Sequence, residues 1–297
     1  KITYLFPAPP FLPAFAPFTI AKANGYYAAE GLDVKFAMGK GGVDVAKQVG
    51  AGNAALGGGI GDTPVIVRPN GVPVKSVAVL GGQALTQILV RKDAGVKSLT
   101  QLKGMTIAVM SYQDTTFYSL LGVLAHHGLK RADVKAQAVG PGGVIKLMIT
   151  GDAQAAAGVP EWAAAIEGAG VPLDWYSVNE FFPGMAQAVI ASDETIKTRP
   201  KVVQGFVNGT LKAIAEIMKD PAAAAKGYVA VTPQHKGKEK AMAVVLANYA
   251  KRIYAGQKVL GEMDAKKLDD LQDFYLAQGI IRKKTPLGDL YTNQFVK

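Results

Sequence analysis

The stretch that most constrains this chain is Gly104 to Leu129, GMTIAVMSYQDTTFYSLLGVLAHHGL, because it holds a complete strand, turn and helix. Met105 to Met110 is the short apolar run of a buried strand, and Phe117, Leu120, Leu121 and Leu124 recur at helical spacing behind a polar turn. In that turn Ser111, Asp114, Thr115 and Thr116 set hydroxyls and a carboxylate against the first amides of the helix, which lack backbone partners. The same atoms suit a helix cap or a ligand site. A strand whose C-terminal end feeds a helix N-terminus is the usual binding edge of an open α/β sheet.

The unit recurs along the chain. Lys1 to Phe6 reads as a first strand, Phe18 to Glu30 as a helix closed at Gly31, and LDVKFAM as a strand with period-two alternation. GKGGVDVAKQVGAGNA then repeats glycine turn, helix and turn before the buried strand end AALGGGI. Strands and helices alternating through short glycine connections predict a parallel sheet flanked by helices. VPVKSVAVLGG and ALTQILVRKD are two further strands, and AGVKSLTQLKG opens a second α/β unit. That unit continues through VKAQAVG, the helix GGVIKLMITGD, the short strand AQAAAGV, the turn PEWAAAIEGAG and the strand LDWYSV; AQAVIAS follows, and everything beyond Asp193 is helical. The expected architecture is α/β, with two Rossmann-like lobes joined by strands crossing at about Leu89 and Ile190. One lobe comprises 1–88 and 192–297, including the helical C-terminal region; the other comprises 89–191, with a ligand cleft and a hinge between them.

Two other stretches carry site character. In PAPPFLPAFAPF, Pro7, Pro9, Pro10, Pro13 and Pro17 forbid a regular helix or central strand over most of the run. The result is a rigid apolar loop, either a packed surface loop or a pocket wall in which Phe11 and Phe15 offer aromatic faces. The run Gly57 to Pro64 is glycine-rich between strand and helix but lacks both the Walker spacing and the dinucleotide fingerprint. What remains is backbone that a ligand can approach closely, with Asp62 and Thr63 as cap candidates and Pro64 at a permitted first-turn position.

Composition narrows the function. A length of 297 residues with 49% hydrophobic content supports two cores, and no apolar run approaches the ~20 residues of a membrane span. The absence of cysteine excludes disulfides, thiolate nucleophiles and cysteine metal sites, and suits an oxidising compartment. The net charge of +10 comes from lysines that are scattered and enriched in the last third, around Lys236 to Lys240, Lys266, Lys267, Lys283 and Lys284. No basic stripe is interleaved with stacking aromatics, so these are solvated helix faces and no nucleic-acid partner is expected. The sequence starts directly at a strand with no signal-peptide pattern, as a mature exported chain does after cleavage.

Four segments carry a family resemblance. GYYAAEGLDVKF (Gly25 to Phe36) resembles the G-Y-(Y/F)-x-x-(E/Q)-G-L-x-V signature of type II periplasmic substrate-binding proteins of ABC importers, in their sulfonate, taurine and thiamine-pyrimidine-precursor branch. VGAGNAALGGGIGDTPVIVRPNGVPVKSVAVL, VKSLTQLKGMTIAV and MITGDAQAAAGVPEWAAAIEGAGV are similar to the segments that follow in that family, in the same order. The chain departs from the family at Asn53 and Gln154, where members often carry Asp; neither position is expected to face the ligand.

The resemblance implies a two-lobed protein that closes on one small molecule and delivers it to the transmembrane subunits of a permease. It implies a monomeric, periplasmic or otherwise extracytoplasmic protein with no catalysis, cofactor or metal. Carried onto this chain, the lining comprises Pro10 and Phe11, Gly59, Ile60 and Asp62, Gln83, Ser111, Tyr112, Asp114 and Thr115, Pro160, Glu161 and Trp162, and Phe182. These segments hold no Arg, Lys or His, but they do hold the carboxylates Asp62, Asp114 and Glu161 among aromatic side chains. That balance favours a flat or amine-bearing organic molecule, pyrimidine-precursor-like, over the alternative of a sulfonate, taurine or nitrate-type anion. Each carboxylate also has a structural alternative: Asp62 and Asp114 as helix caps, Glu161 as a first-turn dipole partner; Trp162 in turn could serve as packing between the lobes. A rival of another class is the fungal-type pyrimidine synthase, which shares the fold and consumes pyridoxal phosphate and one of its own histidines. It uses a cysteine-rich iron motif that this chain lacks, and only His126, His127 and His235 are available here.

Overall fold

The computed structural model describes residues 1–296 and is built on two five-stranded sheets. The chain begins with β1 (Ile2–Phe6), α1 (Ala16–Ala23), α2 (Tyr26–Ala29), β2 (Val34–Met38), α3 (Gly42–Gly50), β3 (Leu56–Ile60), α4 (Thr63–Val67) and β4 (Val74–Val79). It continues through β5 (Gln87–Arg91), β6 (Thr106–Val109), α5 (Thr115–His126), β7 (Lys135–Ala138), α6 (Gly140–Thr150), β8 (Ala155–Gly158), α7 (Pro160–Gly168) and β9 (Leu173–Ser177). It closes with β10 (Gln187–Ser192), α8 (Asp193–Thr198), α9 (Pro200–Lys219), α10 (Pro221–Ala230), α11 (Glu239–Tyr249), α12 (Ala265–Ala277) and α13 (Leu287–Leu290).

The strand orders are β2-β1-β3-β10-β4 and β7-β6-β8-β5-β9. Both sheets are mixed, not purely parallel: β10 runs antiparallel to β3 and β4, and β5 antiparallel to β8 and β9. The physical reason lies in the connections. Strands joined by a helix crossover within one sheet are held parallel, whereas β5 and β10 each arrive from the other sheet and escape that constraint. The passages also sit outside the strands. All of β5 lies in the second sheet and all of β10 in the first, so the chain changes sheets in 80–86 and 178–186, not at Leu89 and Ile190. The two passages are hydrogen-bonded to one another, Leu85 N donating to Met185 O at 2.9 Å, and Leu80 N donates to Gln187 O at the head of β10 at 2.7 Å.

Three local outcomes differ from the sequence expectation. The run Gly57-Gly58-Gly59 is strand β3 itself, not a junction after it. A Cβ on Gly57 would stand 2.4 Å from Val45 Cγ1, and one on Gly58 2.7 Å from the Tyr4 hydroxyl, so the glycines let α3 and Tyr4 press onto the sheet. The helix expected over Phe18 to Glu30 breaks into α1 and α2 at Gly25, whose φ of 74° is left-handed. PEWAAAIEGAG is helical as α7, with Pro160 in its first turn and a buried face of Trp162, Ala163 and Ile166.

The core of the first half is aromatic. Phe206 of α9 stacks on Tyr4 and on Tyr27, each at 4.7 Å between centroids, which fastens the C-terminal helices to the first sheet. From the same helical region α12 reaches toward the second half: Phe274 stacks on Phe182 at 4.6 Å, beneath Gly122 of α5. Among the described residues no helix is long and apolar enough to cross a membrane.

Candidate ligand site

Between the two halves lies a cavity formed by the proline-rich loop, the end of β3 and Gln187 on one side, and the N-termini of α5 and α7 on the other. Only ≈ 40 Å³ of it is open to the centre of a water molecule. That is room for a few waters, so the halves stand close together. Most of the wall is apolar, with Leu12, Phe15, Leu85, Met110 and Val159 prominent.

The polar turn before α5 contributes the first group of side chains. Asp114 is the N-cap of α5 and accepts from Thr116 N at 3.0 Å. Its other oxygen accepts from Gly42 N at 3.3 Å, the first residue of α3, whose own N-cap Gly41 has no side chain to offer. Val43 N donates to Gln113 O at 3.0 Å, so the start of α3 is capped from the opposite half of the molecule. Beside this junction the hydroxyls of Thr115 and Thr63 are 2.9 Å apart, and Thr63 Oγ1 also accepts from Ile60 N at 3.1 Å. Glycine permits the approach: a Cβ on Gly42 would fall 2.5 Å from Thr115 Oγ1, and one on Gly41 2.6 Å from Gln113 O. Burial pushes the Asp114 carboxyl up from its ordinary value, against the opposing pull of the Thr116 and Gly42 bonds.

The second group sits at the start of α7. Glu161 Oε2 accepts from the Tyr249 hydroxyl of α11, and the nearby backbone of Ala14 also favours the ionised form. Desolvation outweighs both and pushes Glu161 up to about 7. Its remaining oxygen, Oε1, is buried without a hydrogen-bond partner among the described residues, and so is the neighbouring Trp162 Nε1. Both residues line the cavity. Each is a buried polar atom without a partner, which costs free energy until something pairs with it.

Of the residues expected from sequence, the structure brings Gly59, Ile60, Asp114, Thr115, Glu161 and Trp162 to this cavity. Asp62 is buried beside it but accepts from the Tyr275 hydroxyl at 2.6 Å, and burial pushes it up to about 6. Pro160 is buried in the first turn of α7 without lining the space. The others lie elsewhere. Pro10 and Phe11 border a separate open groove with Thr19, Lys22 and Phe36. Gln83 accepts from Asn179 at 3.0 Å in the passages between the sheets. The Ser111 hydroxyl donates to Lys40 O at 3.3 Å, the exposed Tyr112 donates to Ala136 O at 2.9 Å, and Phe182 is packed on Phe274. His126 and His127 stand at the far end of α5, against Phe181.

Lining residues outside the expected set include Thr116, Gln187, Met110 and Leu85. Thr116 carried a signal in the polar turn. Gln187 carried none, because only the pairing Gln187↔Ile60 at the head of an antiparallel strand delivers it to the cavity.

Known proteins resemble this chain at several levels. A family model described as "NMT1/THI5 like" matches residues 12–224. A riboflavin-binding protein, RibY, of Chloroflexus aurantiacus is 25% identical over 95% of this chain and 82% of its own length. The 4-amino-5-hydroxymethyl-2-methylpyrimidine phosphate synthase THI13 of Saccharomyces cerevisiae is 26% identical over 79% of this chain and 72% of its own. Among solved structures, the alkanesulfonate-binding protein SsuA of Xanthomonas axonopodis pv. citri, bound to MOPS, superposes with a TM-score of 0.77 at 17% identity, covering 98% of each chain. The fold is therefore that of the periplasmic binding proteins. With its family match spanning more than half the sequence, the chain belongs to the NMT1/THI5-like family.

Proposed function

We propose that this protein is the extracytoplasmic solute-binding component of an ABC importer, which takes up a small, flat, nitrogen-bearing organic molecule and hands it to membrane-embedded permease subunits. The observation that carries the ligand class is the cavity lining, which holds no Arg, Lys or His but includes Glu161 and Trp162, each with one buried polar atom that lacks a partner. A heterocycle with a ring or amino N–H and an acceptor nitrogen or carbonyl carries partners for groups of both kinds, and the mostly apolar wall suits its faces. Pyrimidine-like molecules have both, and so does the ring system of a flavin. The names of the two relatives support the same class.

The ligand enters by separation of the halves. Drug-sized ligands occupy pockets of ~300–1,000 Å³, whereas the reachable space here is ≈ 40 Å³. We take the lobes as the two sheets with their flanking helices, close to the expected 1–88 with 192–297 and 89–191 but divided within the passages 80–86 and 178–186, which form the hinge. Opening breaks the Thr63–Thr115, Gly42–Asp114 and Tyr249–Glu161 contacts, and closure on a ligand remakes them.

Titration calorimetry against pyrimidines, flavins, taurine and alkanesulfonates tests the assignment. Binding of a nitrogen heterocycle, lost in Glu161→Ala, is expected. Binding of taurine or alkanesulfonates alone overturns it. A synthase role has less support: the chain has no cysteine, and His126 and His127 lie at the opposite end of α5 from the cavity. A pyridoxal-type absorption band in the purified protein would reverse that preference.

A further inference from the structure

We propose that Asp114 is a specificity residue that bars anionic solutes from the cleft, by supplying from the protein itself the negative charge that two helix N-termini would otherwise take from a ligand. The inference rests on the cleft being the ligand site. Two helices of adequate length, α3 and α5, direct their first amides at one point from opposite halves of the molecule. The start of a helix attracts an anion through unpaired N–H groups and its dipole, and two starts converging attract one more strongly. Here the point is taken. One Asp114 oxygen accepts from Thr116 N and the other from Gly42 N, and the side chain, only 6% exposed, lines the cavity.

Capping α5 does not by itself call for a charge at this position. Serine, threonine or asparagine caps a helix about as well as aspartate. What aspartate adds is the negative charge and a second oxygen that reaches Gly42 N across the cleft. Nothing nearby offsets that charge in favour of an incoming anion. No Arg, Lys or His lines the cavity. A sulfonate, carboxylate or nitrate entering this space meets occupied helix termini and a like charge, whereas a neutral or amine-bearing ring meets acceptors.

The test is the affinity of wild type, Asp114→Ser and Asp114→Asn for ethanesulfonate and nitrate, measured by titration calorimetry. Both substitutions keep an N-cap for α5, and circular dichroism and the melting temperature establish that each variant is folded. Ethanesulfonate binding at least tenfold tighter to Asp114→Ser than to wild type is expected, with Asp114→Asn moving in the same direction. Equal affinity in wild type and the folded variants, or no anion binding to any of them, overturns the proposal. Its outcome is separate from that of the ligand-class assignment. If no heterocycle binds wild type, the assignment fails while the anion comparison still decides the role of Asp114. If heterocycles bind and the variants gain no anion affinity, only the role of Asp114 fails.

Discussion

Replacing Glu161 by glutamine removes a carboxyl that the folded chain holds protonated to about pH 7 and that an unfolded chain releases near 4.5. Between those values the folded state binds more protons than the unfolded one, so stability falls as pH rises. The contribution is complete below about pH 4.5, where both states carry the proton, and is lost as pH climbs through about 7. With ~1.36 kcal/mol for each tenfold change in proton activity, this one group lowers the stability of wild type by about 2–3 kcal/mol between pH 5 and pH 8. Glutamine does not titrate, and its carbonyl oxygen can still accept from Tyr249. The difference in unfolding free energy, Glu161→Gln minus wild type, is therefore expected to grow by about 2–3 kcal/mol from pH 5 to pH 8. Urea denaturation of both proteins at four pH values measures it, and taking the difference cancels every other titrating group. A difference that stays flat across this range would show that burial between the lobes does not hold the proton, and the argument would fail. The location sharpens the test. Tyr249 belongs to the first half and Glu161 to the second, so the titrating carboxyl sits on a contact between the two.

Three further substitutions probe the framework. Thr63→Val removes the hydroxyl that pairs with Thr115 and accepts from Ile60 N, leaving buried groups unmatched; a loss of about 1–3 kcal/mol in urea denaturation is expected. Gly57→Ala puts a methyl 2.4 Å from Val45 Cγ1 and 2.9 Å from Val49 Cγ2, so α3 has to lift from the sheet, and a loss of about 1–3 kcal/mol with a lowered melting temperature is expected. Tyr275→Phe deprives Asp62 of its hydroxyl donor, and the carboxyl, already raised to about 6, rises further. Stability of that variant relative to wild type is expected to fall as pH increases from 5 to 8, and a difference independent of pH would count against a buried, donor-dependent Asp62.

What was legible in the sequence, and what was not, divides by the distance over which each feature is determined. The order of strands and helices was legible because a buried strand and an amphipathic helix each print their period on a few consecutive residues; the turn before α5 is the clearest case. The mixed pairing of the sheets was not, since the direction of β5 and β10 depends on which sheet the chain has just left, and no local pattern records that. The site divides in the same way. Asp114, Thr115, Glu161 and Trp162 stand in the first turns of helices that follow strands, so a rule about strand ends and helix starts finds them. Gln187 enters the cavity only through its register against Ile60, and Phe11 leaves it because the proline-rich loop turns that ring toward the groove shared with Lys22 and Phe36. The dual role of Asp114 was half legible. Its capping of α5 could be read from spacing alone, but its bond to Gly42 N joins residues far apart in sequence and exists only when the two halves meet. A turn with two structural meanings in the linear chain thus carries both at once in the folded one, as a cap within its own lobe and a contact with the other.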